Sequence, residues 1–126
     1  MEQKYIIDTN SVIDYLNDTL PNPIATLIDN SIKQISVISR VELLGWQNAS
    51  EEHLSVLNDF INSSIVILFE EEIILKTIEL RRKYSIKIPD AIIASTAIVR
   101  NATLITRNVK DFEKITELKL LNSFGN

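Results

Sequence analysis

Short, continuous apolar runs alternate along this chain with longer segments in which apolar residues recur every three or four positions. The runs Tyr5-Ile6-Ile7, Ile35-Ser36-Val37-Ile38, Ile65-Val66-Ile67-Leu68 and Thr103-Leu104-Ile105 predict strands buried on both faces of a parallel sheet. A weaker fifth strand is expected at Leu118-Lys119-Leu120-Leu121. Between the runs, Val12, Ile13 and Leu16 form a helical stripe, and Pro23 opens a helix carrying Ile24, Leu27 and Ile28. Glu51 to Ile61 presents Leu54, Leu57 and Ile61 on one side, and Ile74, Leu75 and Ile78 mark a helix over 71–84. From Ala91 to Val99 the chain is apolar almost all round, which predicts a helix covered on most sides.

Strands alternating with helices give an α/β fold through right-handed crossovers. The expectation is a single domain over 1–126, with a mostly parallel central sheet of four to five strands flanked by helices on both faces. With only 2 Gly and 3 Pro, the chain shows no linker and no low-complexity segment. In such sheets ligands bind at the carboxyl ends of the strands. Asp8 ends the first strand, Asn108 and Asp111 follow the fourth, and Glu42 opens the helix after the second, so topology puts all of these on that edge. Asp90 heads the most apolar helix, and it reaches the same edge only if the preceding helix, about 71 to 84, returns the chain there, which needs a further helical element to bring it back.

Composition narrows the classes. At 126 residues with 45% hydrophobic content the chain can bury about two-thirds of its unfolded surface. No Cys occurs, which excludes disulfides and thiolate metal sites and suits a reducing compartment. No apolar run approaches membrane-span length, and Met1-Glu2-Gln3-Lys4 lacks a signal-peptide pattern, so a cytoplasmic protein is expected. The net charge of −4 argues against a broad nucleic-acid footprint, although an acidic active site would itself supply several of those charges.

The candidate chemistry lies in four carboxylates: Asp8, Glu42, Asp90 and Asp111. Three of them abut apolar runs, where an unpaired charge is costly to bury. A shared divalent ion would reconcile their mutual repulsion, and hard oxygen ligands select Mg²⁺ or Mn²⁺. Each acid also has a structural competitor. Asp8 can cap the next helix, but Thr9, Asn10 and Ser11 qualify equally. Ser39-Arg40-Val41-Glu42 reads as a capping box with Ser39 as N-cap. Asp90 can be an N-cap, and Asp111 lies three residues after Asn108, so that in a helical turn both face the same way. Asn10 is expected to orient its neighbours by hydrogen bonding. His53 is the only His, in a polar helical segment, and Trp46 after Gly45 reads as a core or interface aromatic. Neither phosphate-cradling glycine motif is present.

In order along the chain, I-I-D-T-N, V-I-S-R-V-E-L-L-G, I-P-D-A-I-I-A-S-T-A and L-I-T-R-N-V-K-D-F resemble the blocks of PIN-domain nucleases, in particular the VapC-type toxins of bacterial toxin–antitoxin pairs. The likeness spans residues 4–113. It implies a metal centre of acids at Asp8, Glu42 and Asp90, with a fourth from the block holding Asn108 and Asp111. It also implies a Mg²⁺- or Mn²⁺-dependent endoribonuclease that inhibits translation and growth, usually a homodimer, held inactive by a small antitoxin whose tail crosses the active site. Position 108 is Asn where many relatives carry Asp.

Under that reading Asp8 and Asp90 are principal ligands, Glu42 a ligand or orienter of the attacking water, and Asp111 a partner at a second ion or one that supports the ligands from behind. Thr9, Asn10, Thr106 and Asn108 would hold the ligands by hydrogen bonds. Arg40, Arg107 and Lys110 would bind phosphates of the RNA substrate. Two other readings use the same fold. A phosphoryl-transfer domain would need paired acids after the first strand, where this chain has Asp8-Thr9-Asn10, or an Asp after the third, where it has Phe69-Glu70. A catalytically silent binding module would keep the acids to receive a basic tail.

Overall fold

The computed structural model describes residues 3–125; Met1, Glu2 and Asn126 lie outside them, as do the ends of the expected domain and half of the N-terminal tetrapeptide. In order, the elements are β1 (Tyr5–Ile7), α1 (Thr9–Leu16), α2 (Asn22–Asp29), β2 (Gln34–Ser36), α3 (Val37–Leu44) and α4 (Glu51–Asn62). There follow β3 (Ile65–Ile67), α5 (Glu71–Lys83), α6 (Ile88–Val99), β4 (Thr103–Thr106), α7 (Val109–Phe112) and β5 (Lys119–Asn122).

Every strand pairing is parallel. β1, β4 and β5 form one ladder and β2 and β3 another, and β2 lies beside β1, giving the order β3-β2-β1-β4-β5. At the seam the Gln34 side chain donates to the Tyr5 carbonyl at 3.4 Å. Alternation along each strand sorts side chains to two faces. Ile6 and Leu104 point into a core with Ile73 and Leu80 of α5, Ile93 and Ala97 of α6, and Phe112 of α7. Ile7 and Ile105, one residue on, enter a second core with Val12, Ile24, Ile28, Leu43, Leu57 and Phe60 from α1 to α4. The helices therefore cover both faces, as the uniformly apolar strands require.

Three expectations change. The second apolar run does not stay extended to Ile38: β2 ends at Ser36, whose hydroxyl accepts from the Ile38 N–H at 3.1 Å and caps α3. Ser39 is consequently the third residue of α3, fully buried, and Ser39–Glu42 is no capping box. Its S-x-x-E spacing places two residues on one helix face wherever in the helix it falls. Second, Asp90 lies in the first turn of α6 behind the N-cap Lys87, so it does not cap. Third, no additional element returns the chain to the carboxyl edge. An ion pair of Glu70 with Arg100 joins the start of α5 to the end of α6, and Arg81 near the end of α5 donates to the Ile86 carbonyl just before α6. The two helices run antiparallel, and α5 itself delivers Asp90 to the edge.

Candidate active site

Asp8 is the N-cap of α1 and is 5% exposed. Its backbone is still extended (φ −66°, ψ 154°), whereas Thr9 is already helical, so the capping role falls to Asp8 and not to its three polar successors. One carboxylate oxygen accepts from the Thr9 N–H and the other from the Thr106 hydroxyl of β4, each at 2.8 Å. Thr106 Oγ1 in turn accepts from the Asn108 N–H at 3.0 Å, which holds the loop after β4 against Asp8. All of these donors are neutral. Among the described residues no basic group pairs with the buried Asp8 carboxylate.

Glu42 projects from α3 and is tied to α1. The Thr9 hydroxyl donates to Glu42 Oε1 at 2.6 Å, and because it has a single proton, its 2.8 Å contact with Ser39 Oγ is accepted from Ser39. The resulting chain, Ser39 to Thr9 to Glu42, is anchored by a buried hydroxyl. Asp90, half-buried, completes the group. Asp8, Glu42, Asp90, Asn10 and Asn108 line one cavity of about 500 Å³, whose other wall is apolar: Ile13, Leu16, Leu43, Trp46, Val56 and Leu57. Gly45 shapes that wall. Its N–H closes α3 on the Val41 carbonyl at 2.8 Å, and a Cβ there would lie 2.7 Å from the same oxygen. Trp46, the next residue, is 53% exposed and not in the core, and it stacks on His53 with ring centroids 5.3 Å apart. His53 is exposed and lines this cavity.

Electrostatics reflect the crowding. Burial pushes the Asp8 carboxyl above its ordinary range against the lowering effect of its Thr106 and Thr9 hydrogen bonds, and the charges of Asp90 and Glu42 add to the rise. Asp90 is raised too, by burial first, then by Asp111 and Glu42, while Lys87 and Lys114 act in the opposite direction. Asp111 is not on the same cavity. It lines a second one together with Asp90, so Asn108 and Asp111, expected to face the same way, face different spaces. The short α7 turns the chain between them.

The donor set is all hard oxygen: three carboxylates and the Asn108 amide, gathered around a buried charge with no cationic partner. Those donors suit Mg²⁺ or Mn²⁺ in type. They are not drawn into a finished cage, since among the described residues no three acidic or imidazole groups are grouped closely enough to hold an ion. Of the expected phosphate contacts, Arg40, Arg107 and Lys110 are exposed and none borders either cavity. Arg107 is instead engaged by Asp14 of α1, with its Nη1 3.1 and 3.2 Å from the two carboxylate oxygens. Asp14, 7% exposed, is a buried acid that its sequence context does not single out. Asn10 makes no side-chain hydrogen bond to the acids among the described residues, so its expected orienting role finds no partner there.

The family model for the PIN domain matches residues 5–118. This chain belongs to the PIN-domain family. Among its relatives, Ribonuclease VapC2 of Rickettsia felis is 33% identical over 129 residues, covering 94% of this chain and 96% of that protein. The crystal structure of VapBC2 from Rickettsia felis bound to a promoter DNA fragment superposes with a TM-score of 0.79 at 30% identity, over 95% of this chain and 98% of that one. A toxin–antitoxin complex from Klebsiella pneumoniae gives 0.77 at 26% identity, over 98% and 100%. In this PIN domain the family blocks fall on the elements just described: Asp8 at the end of β1, Glu42 on α3, Asp90 on α6 and Asn108 after β4.

Proposed function

We propose that this PIN domain is an endoribonuclease that uses Mg²⁺ or Mn²⁺ and serves as the toxin of a toxin–antitoxin pair in the cytoplasm. The observation that carries the reading is the buried, cation-free Asp8 carboxylate facing Glu42 and Asp90 across one cavity at the strand carboxyl ends. The similarity to Ribonuclease VapC2 supports RNA as substrate. When bound, the divalent ion would supply Lewis-acid activation of water and charge neutralisation at phosphorus. Asp8, Asp90 and Glu42 would hold it, with the Asn108 amide as a neutral fourth donor and Asp111 in reserve beside Asp90. Thr9 fixes one Glu42 oxygen and leaves the other free to hold the ion or to orient the attacking water. Thr106 fixes the Asp8 plane, so the principal ligand need not reorganise.

The apolar wall of the same cavity suits the inhibitory partner. A small antitoxin would seat apolar side chains against Leu16, Trp46, Val56 and Leu57 and direct a basic group at the acids. The toxin–antitoxin complex of similar fold supports that assignment. A homodimer belongs to the same proposal, with the exposed Leu75 and Ile78 of α5 as its face. No helix among the described residues is long and apolar enough to cross a membrane.

The test is cleavage of total RNA by purified protein with Mg²⁺, with Mn²⁺ and with EDTA. Wild type should cut only with metal, and Asp8→Asn should lose at least about 100-fold in rate, the scale of a lost charged group in a metal-dependent site. Metal-independent cleavage, or an active Asp8→Asn protein, removes the assignment. No cleavage under any condition leaves the silent binding module.

A further inference from the structure

The second cavity, also about 500 Å³, meets the acidic one at Asp90 and has a different character. Its charged lining is Arg81, Lys87 and Lys114 against Asp90 and Asp111, an excess of cations. Two of the cations are anchored. Arg81 donates to the Ile86 carbonyl and Lys114 to the Ser85 carbonyl, so both brace the loop between α5 and α6. Lys87, in that loop, makes no ion pair among the described residues. Lys87 and Lys114 are close enough to Asp90 to favour its charged form.

A phosphodiester placed at Asp8, Glu42 and Asp90 brings further phosphates with it, and each must lie in a groove that tolerates charge. The apolar wall of the first cavity cannot solvate them. The cationic cavity can, and Asp90 joins the two. We propose that this cavity is a binding subsite for the backbone of single-stranded RNA beside the cut, with Lys87 and Lys114 contacting phosphate and Arg81 holding the loop that carries Lys87. The proposal rests on the ribonuclease reading. It replaces Arg40, Arg107 and Lys110 as phosphate contacts, and it explains how a chain of net charge −4 holds a polyanion: through a local groove and not a broad field.

The test measures binding of a short poly(U) oligoribonucleotide by fluorescence anisotropy over a series of salt concentrations, in an Asp8→Asn background so that the RNA survives. Lys87→Gln/Lys114→Gln is compared with Lys4→Gln/Lys33→Gln, which removes the same charge from residues preceding β1 and β2, at the amino end of the strands. Each lysine–phosphate interaction removed should lower the slope of log K against log salt by about 0.7. The first pair should therefore flatten it by about 1.4 units and weaken binding roughly four- to twentyfold, well beyond the control pair. Lys87→Gln alone, which touches no loop-bracing hydrogen bond, should show about half the slope change. Equal effects in both pairs, or an unchanged slope in Lys87→Gln, overturn the subsite. Wild-type cleavage is assayed in parallel: if the protein cuts RNA while the Lys87 and Lys114 variants keep its KM and salt slope, the subsite fails and the ribonuclease reading stands. If wild type neither cuts nor binds RNA, both fail.

Discussion

Asp8 shows how one side chain can cap a helix and still be available for chemistry. Its two oxygens divide the work, one meeting the Thr9 N–H and the other the Thr106 hydroxyl. Neither contact neutralises its charge, and burial therefore raises its pKa. A raised folded-state pKa means that the native protein holds the proton more tightly than the unfolded chain does. Stability should then fall as pH rises from the ordinary carboxylate range through the raised value, and the penalty is fully present above it. In chelator, urea midpoints measured across a pH series should follow that slope in wild type and flatten in Asp8→Asn, with Asp90 supplying the remainder. Asn caps as well as Asp. At neutral pH the variant should accordingly be equal to wild type or more stable. A loss of more than about 1 kcal/mol would mean that the second hydrogen bond, which the NH₂ of Asn cannot accept, outweighs the relief of burying a charge.

At the scale of elements, the boundaries that matter most are the hardest to read. The run Ile35-Ser36-Val37-Ile38 satisfies strand and buried helix alike, and only the capping hydroxyl of Ser36 decides between them. Asp14 is illegible for a related reason. Beside the apolar stripe of α1 it reads as one more solvated residue, yet the loop after β4 closes over it and supplies Arg107. That pair links α1 to the loop bearing Asn108. Because Asp14 is buried and Arg107 partly exposed, removing the two partners should not be equivalent. Arg107→Ala strands a buried carboxylate and should cost about 1–3 kcal/mol. Adding Asp14→Asn should recover part of it, giving a coupling of about 1 kcal/mol in a double-mutant cycle from urea unfolding. Purely additive effects would show that the ion pair does not hold the loop.

At the scale of the molecule, the uniformly apolar strands announce a parallel sheet covered on both faces, and the carboxyl edge follows from topology. The place of Asp90 does not, because it depends on α5 and α6 packing antiparallel across the short 84–87 connection, Ile73 and Leu80 against Ile93 and Ala97, a pairing that no periodicity encodes. The consequence is mechanical. Asp8 leaves the strand between the two cores, Leu43 of α3 lies in one core, and α6 belongs to the other. An ion held by Asp8, Glu42 and Asp90 would add a tie among α1, α3 and α6, which already touch at this edge, and it would offset the burial and mutual repulsion that raise both aspartates. Divalent metal should thus stabilise the whole fold and not just the site. At a hundredfold excess over its dissociation constant, linkage gives about 2.7 kcal/mol. For a chain of this size that raises the melting temperature by on the order of 10 °C. Calorimetry with Mg²⁺ or Mn²⁺ should show this rise in wild type and little of it in Asp8→Asn. Equal rises in the two proteins would place the ion elsewhere on the surface and leave the three carboxylates as a repulsive cluster with no bound partner.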